Sequence, residues 1–434
     1  MQQDQREPPD RLVPTDPTPH RARLGTVLAP FGVRAFRFQW PGDLFTAVAT
    51  EMEVVILGWY VLNETGSVLL LTLFGALHFF GTLSAPLIGV IGDRIGLRRL
   101  LTLMRTHYVV LTTALTLLAL SGQLTPVAVF AVATAMALVR PSDISVRTAL
   151  VAELMPAHLL TGAVGLSRST GDVARIVGAL AGATLFALFG LGLAYVVVTS
   201  LYLSGLVLTF AAARLAAPRN AAVSRPGAHW RELAAGLSYV WQTPHLLGGM
   251  WLAVLANLTA FPLTGGLMPY IARDVHGLDK TGLGFLIASY ATGALLGSLT
   301  VGAVGGRLRL GRTMLVASLV WHALLLAFVH MPNATAAALV LVGVGFAQSI
   351  SMVSLAAMLL RTTEPQFRGR VMGVRMLSTY SLPLGLVFVG WLIGQIGFTL
   401  SATLWLVMGV ALTLAIGVYW FAALWRLDAP ANAR

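Results

Sequence analysis

The sequence predicts an all-α membrane protein of twelve transmembrane helices, arranged as two parallel six-helix repeats. Three observations carry that prediction: too little charge to clothe a soluble surface, a series of apolar runs of membrane-crossing length, and positive charge confined to every second connection. Of the 434 residues, 57% are hydrophobic and 11% charged, and the mean hydropathy is +0.79. A soluble chain carries about 25% of its residues as Asp, Glu, Lys or Arg. One helical crossing uses about 20 apolar residues. Twelve crossings therefore take roughly 240 and leave short connections plus one longer link.

Apolar runs fall at 43–63, 67–88, 100–121, 124–146, 159–189, 192–214, 245–272, 281–303, 313–331, 334–360, 371–396 and 398–425. Residues 1–35, rich in Pro, Asp and Arg, read as a disordered tail. They are not a cleavable signal, because no apolar core follows a charged start. The expected division is a first bundle at 36–214, a linker at 215–244, a second bundle at 245–425 and a short tail at 426–434. In the linker, Trp230, Leu233, Leu237 and Val240 recur at helical spacing. That pattern predicts an amphipathic helix at the cytoplasmic membrane surface.

The basic residues orient the helices. Arg6, Arg11, Arg21, Arg23, Arg34 and Arg37 precede the first crossing, and Arg94, Arg98 and Arg99 lie between the second and third. Arg214, Arg219, Arg225 and Arg231 sit around the linker, Arg307, Arg309 and Arg312 between crossings 8 and 9, and Arg361, Arg368, Arg370 and Arg375 between 10 and 11. On the alternate side only Arg273 and Lys280 appear. Both termini are therefore expected in the cytoplasm. The net charge of +12 is topological, so nucleic acid is not the expected partner.

Enzymatic chemistry finds no support. The chain has no cysteine, its histidines are scattered, and no cluster of metal ligands stands out. No metal or cofactor is expected. A phosphate-binding G-x-x-x-x-G-K-[ST] loop is also lacking, so transport by this chain would draw on a gradient.

An internal repeat supports the two-half reading. Gly89–Arg99, GVIGDRIGLRR, matches Gly302–Arg312, GAVGGRLRLGR, at an offset of 213 residues, sharing two glycines, two arginines and a leucine. A second match, offset by 207, pairs Arg168 with Arg375, Gly178 with Gly385 and Gly190 with Gly397. Halves with an even number of helices enter the membrane in the same direction. Such parallel repeats place the substrate site between them, near the bilayer midplane.

Gly89, Asp93, Arg94, Gly96 and Arg98 resemble the signature of the 2–3 loop in the major facilitator superfamily, with Ile91 and Leu97 as departures. A narrower resemblance, to bacterial exporters of the enterobactin-exporter type, rests on Met52, Trp59 and Thr65-Gly66-Ser67, and on Pro365 with Arg368-Gly369-Arg370-Val371-Met372. The resemblance implies a monomeric multi-pass protein of the bacterial inner membrane that exports drugs or siderophores against protons. It also implies that Asp93 latches the cytoplasmic side against helix 11. The second copy has Gly306 at the corresponding place. The glycine–proline signature of proton antiporters is altered in helix 5, where Ala179 follows Gly178. The small-residue face survives there without a proline kink.

Charge inside a membrane costs about 2.5–3.5 kcal/mol per group on insertion scales, so embedded charges are the site candidates. The embedded carboxylates belong to the first half: Glu51, Glu53 and Asp172, with Asp143 nearer the cytoplasmic end. At about 100° per residue, Asp43, Thr46, Thr50, Glu53 and Tyr60 form one polar stripe on helix 1. Glu53 is accordingly expected to face the cavity and bind a proton or cationic substrate, with Glu51 pairing to an arginine on a packed neighbour. Arg140, Asp143 and Arg147, then Arg168, Asp172 and Arg175, share helix faces. They read either as a network that exchanges partners or as static pairs.

His78 reads as a hydrogen-bonded packing residue. Pro262, Gly265, Gly266 and Pro269 interrupt helix 7, which makes Asn257 and Tyr270 cavity candidates. Gln348, with Ser351 and Ser354, is a similar candidate on helix 10. The functional expectation is proton-coupled export of an amphiphilic small molecule by alternating access. An uncoupled facilitator, an importer, or a transporter-like receptor or lipid-handling protein stays open.

Overall fold

The computed structural model describes residues 29–79, 81, 88, 91–92, 94–215, 228–304, 308–425 and 427, and these contain helices and no strands. The crossings are α1 (Arg34–Thr65), α2 (Val68–Leu77), α3 (Leu97–Leu120), α4 (Pro126–Leu154), α5 (157–189) and α6 (191–215). The second six are α7 (244–275), α8 (Lys280–Val304), α9 (Leu310–Val329), α10 (Ala334–Thr362), α11 (Pro365–Ile396) and α12 (Phe398–Tyr419). Nine described helical runs are long and apolar enough to cross a membrane. One of them, Gly162–Leu215, is two crossings folded at Gly190. The remaining two are α2, described over only ten residues, and α7, whose breaks shorten its pieces.

Local sequence sets the boundaries. Ser67, Thr125 and Asn333 each accept the backbone N–H three residues on, capping α2, α4 and α10. Pro126 occupies the first helical position of α4, where its missing N–H has no intrahelical role. The first helix starts at Arg34, not at 43 where the apolar run begins. Its polar first turns continue the helix because Gln39 and Asp43 are buried and partnered inside the bundle.

The second repeat match has a backbone meaning. Gly190 turns α5 into α6 at φ 75°, ψ 178°, and Gly397 turns α11 into α12 at φ 78°, ψ 167°. That region of backbone space is essentially restricted to glycine. The matched pair Gly178 and Gly385 plays one part twice. A Cβ on Gly178 would stand 2.9 Å from the Val48 carbonyl of α1, and one on Gly385 would strike the Leu258 carbonyl of α7. In both halves the fifth crossing packs backbone-close on the first.

The connecting helix Ala228–Gln242 stands where an amphipathic helix is expected, but its apolar residues part company. Val240 is buried with Leu246, Val371 and Val374, and Tyr239 stacks on Phe367 at the start of α11, with centroids 4.3 Å apart. Leu237 is exposed. The helix is clamped to α11, which splits a stripe that spacing alone assigns to the membrane. The side chains of Trp230 and Leu233 lie outside the described residues.

Close approaches between the halves gather on the side of the 1–2, 5–6 and 7–8 connections, called the loop side below. Gly390 of α11 sits against Thr72 of α2, and Gly284 of α8 sits against Ala179 and Ala183 of α5. The Arg273 guanidinium donates to the Leu62 carbonyl at 2.9 Å.

Candidate functional site

A cavity of about 520 Å³ lies between the halves, lined by α1, α2 and α5 from one and by α7, α8, α10 and α11 from the other. None of its described lining residues comes from α3, α6, α9 or α12. Its two walls differ in kind. Among the described lining residues, every carboxylate and guanidinium belongs to the first half: Glu51 of α1, with Asp172 and Arg175 of α5. The opposite wall offers neutral polar groups, including Asn257, Thr264, Tyr290 and Gln348, beside Phe261 and Met268. Phe74 of α2 adds a further aromatic face.

The charged wall is built by helix packing. Gly178 lets α5 approach α1 so closely that an added Cβ would meet the Glu51 Cβ at 2.6 Å. Gly182, one turn on, packs on Met52. Arg175, three residues before Gly178, then reaches Glu51 with Nε 3.7 Å from Oε1. The two side chains retain 39% and 29% of their exposure. That is a long, open ion pair, of the kind a solute or proton can rearrange at low cost. Gly265 and Gly266 line the cavity where α7 breaks between 265 and 268. A broken crossing at this depth presents backbone to the cavity.

Glu53 stands elsewhere, and the expectation that it faces the cavity is corrected. It is 2% exposed inside the first half. There it pairs with Arg140 at 2.7 Å and accepts the Tyr202 hydroxyl at 2.9 Å and the Tyr195 hydroxyl at 3.5 Å. Arg140 is drawn with it and is likewise absent from the cavity lining. The polar stripe of α1 faces α3, α4 and α6, making a polar core within the bundle. Glu51 does pair with an arginine on a neighbouring helix, as expected, but that pair forms the cavity wall.

The same inward stripe holds a second ion pair that hydropathy reading passed over. Arg105 of α3, 1% exposed, pairs with Asp43 and donates to Thr209 and to the Gly205 carbonyl of α6. The signal was a lone arginine inside the apolar run of helix 3, two residues before His107 and three before Tyr108.

Asp172, Arg175, Asn257 and Gln348 line the cavity. Tyr270 does not; its ring lies against Phe398, with centroids 6.0 Å apart. Ser351 donates to the Met314 carbonyl and Ser354 is buried in the second half, so Ser349 takes the place expected of them. His78 is hydrogen-bonded to the Phe74 carbonyl at 3.0 Å and lines the cavity as well. In the 2–3 signature, Gly89 and Asp93 lie outside the described residues. Arg94 is exposed, Gly96 adopts φ 85° just before α3, and Arg98 pairs with Glu153 of α4 at 3.1 Å.

Among solved structures the fold is similar to the nucleoside transporter NupG, with a TM-score of 0.67, 13% identity, 90% of this chain and 98% of that one covered. It is also similar to a bacterial homolog of the human lysosomal transporter Spinster. The inward-facing, unoccupied form of that protein gives a TM-score of 0.67 at 13% identity, covering 90% of this chain and 96% of that one. A search of curated protein sequences finds no match. A family model described as transmembrane secretion effector matches residues 25–433. With a cavity between two six-helix halves and a match over nearly its whole length, the chain belongs to this family of major facilitator superfamily transporters.

Proposed function

We propose that the protein exports an amphiphilic small molecule, drug-like or siderophore-like, across a bacterial inner membrane in exchange for protons. In this reading both termini are cytoplasmic, and the state described here opens its cavity inward. The single observation that carries the reading is the asymmetry of the cavity. A charged wall of Glu51, Asp172 and Arg175 faces a neutral wall of aromatic, apolar and amide groups. A solute with one ionised end and an apolar body complements both walls.

The open Glu51–Arg175 pair supports exchange. A cationic head seated beside Glu51 competes with Arg175 and with a proton for the same carboxylate, so substrate and proton exclude one another. Differential occupancy of one group by two ligands is sufficient for coupling. Glu53, closed in by three partners, Arg140, Tyr195 and Tyr202, the last also bonded to Thr50, is assigned a structural part.

Purified protein in liposomes tests this, with an imposed pH gradient and a panel of aromatic amines, hydroxamates and nucleosides. Gradient-driven accumulation of a panel member is expected, falling at least tenfold in Glu51→Gln. Accumulation unchanged by Glu51→Gln assigns coupling to another group. Flux indifferent to the gradient makes the protein a facilitator.

A further inference from the structure

A second cleft, of about 490 Å³, lies on the loop side beyond the point where the halves meet. Trp59, Tyr60 and Glu64 of α1 line it, with Phe186 of α5 and Lys280 of α8. The cleft and the central cavity share no lining residue. On α1 the cavity lining stops at Gly58, and the cleft takes over at Trp59. The Tyr60 hydroxyl donates to the Leu124 carbonyl at 2.9 Å, which fixes its ring in the wall.

Lys280 is the chain's single lysine. It sits on the membrane side that carries almost no other cation. Its ammonium lies 3.9 Å over the face of Phe186, and Phe186 is itself only 6% exposed. The cleft is thus lined by three aromatic side chains and a carboxylate, and a tethered ammonium lies on the face of one of those rings. Cation–π attraction of this kind is what proteins use to hold organic ammonium groups. Lys280 belongs to the second half and Phe186 to the first, so the contact also ties the halves together on this side.

We propose that the loop-side cleft is a second binding site, for the cationic head of an aromatic or quaternary-ammonium solute, and that Lys280 fills the head-group position in this state. A cation arriving there displaces Lys280 from Phe186. Displacement removes one tie between the halves, so occupancy of the cleft and opening of the loop side become linked equilibria. The class of ligand follows the cationic-substrate reading of the central cavity, but binding at the cleft is a separate measurement.

The chain lacks cysteine, so Asn63→Cys places one trifluoromethyl reporter at the rim of the cleft. The probe is benzyltrimethylammonium, titrated by fluorine NMR in a Glu51→Gln background to silence the central carboxylate. Lys280→Met, or Lys280→Gln as a second variant, is expected to lower the half-saturating probe concentration roughly tenfold. Adding Phe186→Leu should abolish that gain, and Phe186→Tyr should keep it. Unchanged affinity in both Lys280 variants overturns the proposal, as does a gain that survives Phe186→Leu. A working cleft titration with no gradient-driven flux in otherwise wild-type protein rejects the central-site reading alone. Normal flux with a silent cleft rejects this one alone.

Discussion

Glu51 and Glu53 are two residues apart on one helix and have opposite fates. Glu51 keeps access to the cavity and a loose partner at 3.7 Å, whereas Glu53 is sealed with a 2.7 Å partner and two tyrosine hydroxyls. Truncating one member of a buried pair strands the other charge, at a cost of about 3–5 kcal/mol. Glu53→Gln and Arg105→Met should therefore lower the thermal midpoint of detergent-purified protein clearly. Glu51→Gln should leave it nearly unchanged, because its pair is open to the cavity. Equal midpoints for Glu51→Gln and Glu53→Gln would remove the distinction. An arginine partner for Glu51 is legible from sequence. Which of the two carboxylates meets the cavity is not, because a helical wheel groups residues by face without saying what packs against that face.

At the scale of helices, the small-residue positions decide which crossings touch. Gly178 and Gly182 seat α5 on α1, and Gly385 seats α11 on α7. Gly293 and Gly345 do the same between α8 and α10, each lying against the other helix's backbone. Gly345→Val should reduce stability, since its side chain would enter the Tyr290 carbonyl. Gly178→Val should act differently, because it separates α5 from α1 at the charged wall. Transport should fall more steeply than the thermal midpoint, and the ratio of the two readouts is the test. Gly397→Ala should cost about 1–3 kcal/mol through its backbone region alone. Within the match at an offset of 207 residues, the two glycine pairs are therefore a packing and a turning signal. The split of Leu237 from Val240 carried no comparable sequence mark, because it follows from α11 lying beside the connecting helix.

For the molecule as a whole, the close approaches between the halves among the described residues lie on the loop side. An ideal Cβ at Gly390 lies 2.9 Å from the Thr72 Cβ, within reach of a disulfide after slight relaxation. In a chain without native cysteine, Thr72→Cys with Gly390→Cys should crosslink on mild oxidation and arrest net transport, with recovery on reduction. Undiminished flux through fully crosslinked protein would show that this contact does not open during transport. The cleft at Lys280 and the Arg273–Leu62 contact belong to the same closure. Both cations are the exceptions to the charge asymmetry of the sequence, and each reaches from the second half to the first.

Lys280 and Arg273 also show how the two levels of description divide. Hydropathy, the spacing of apolar runs and the alternation of basic connections determined an all-helical, two-half membrane protein, because bilayer thickness and backbone hydrogen bonding leave few other solutions. The same reading assigned the embedded carboxylates to the first half. Only the tertiary structure decided their roles. It turned the polar stripe of α1 into an internal core, placed Glu51 with Asp172 and Arg175 on the cavity wall, and set Lys280 on Phe186. The reason is physical. Insertion into lipid is a property of each segment, whereas the environment of a side chain depends on which other segments come to lie beside it.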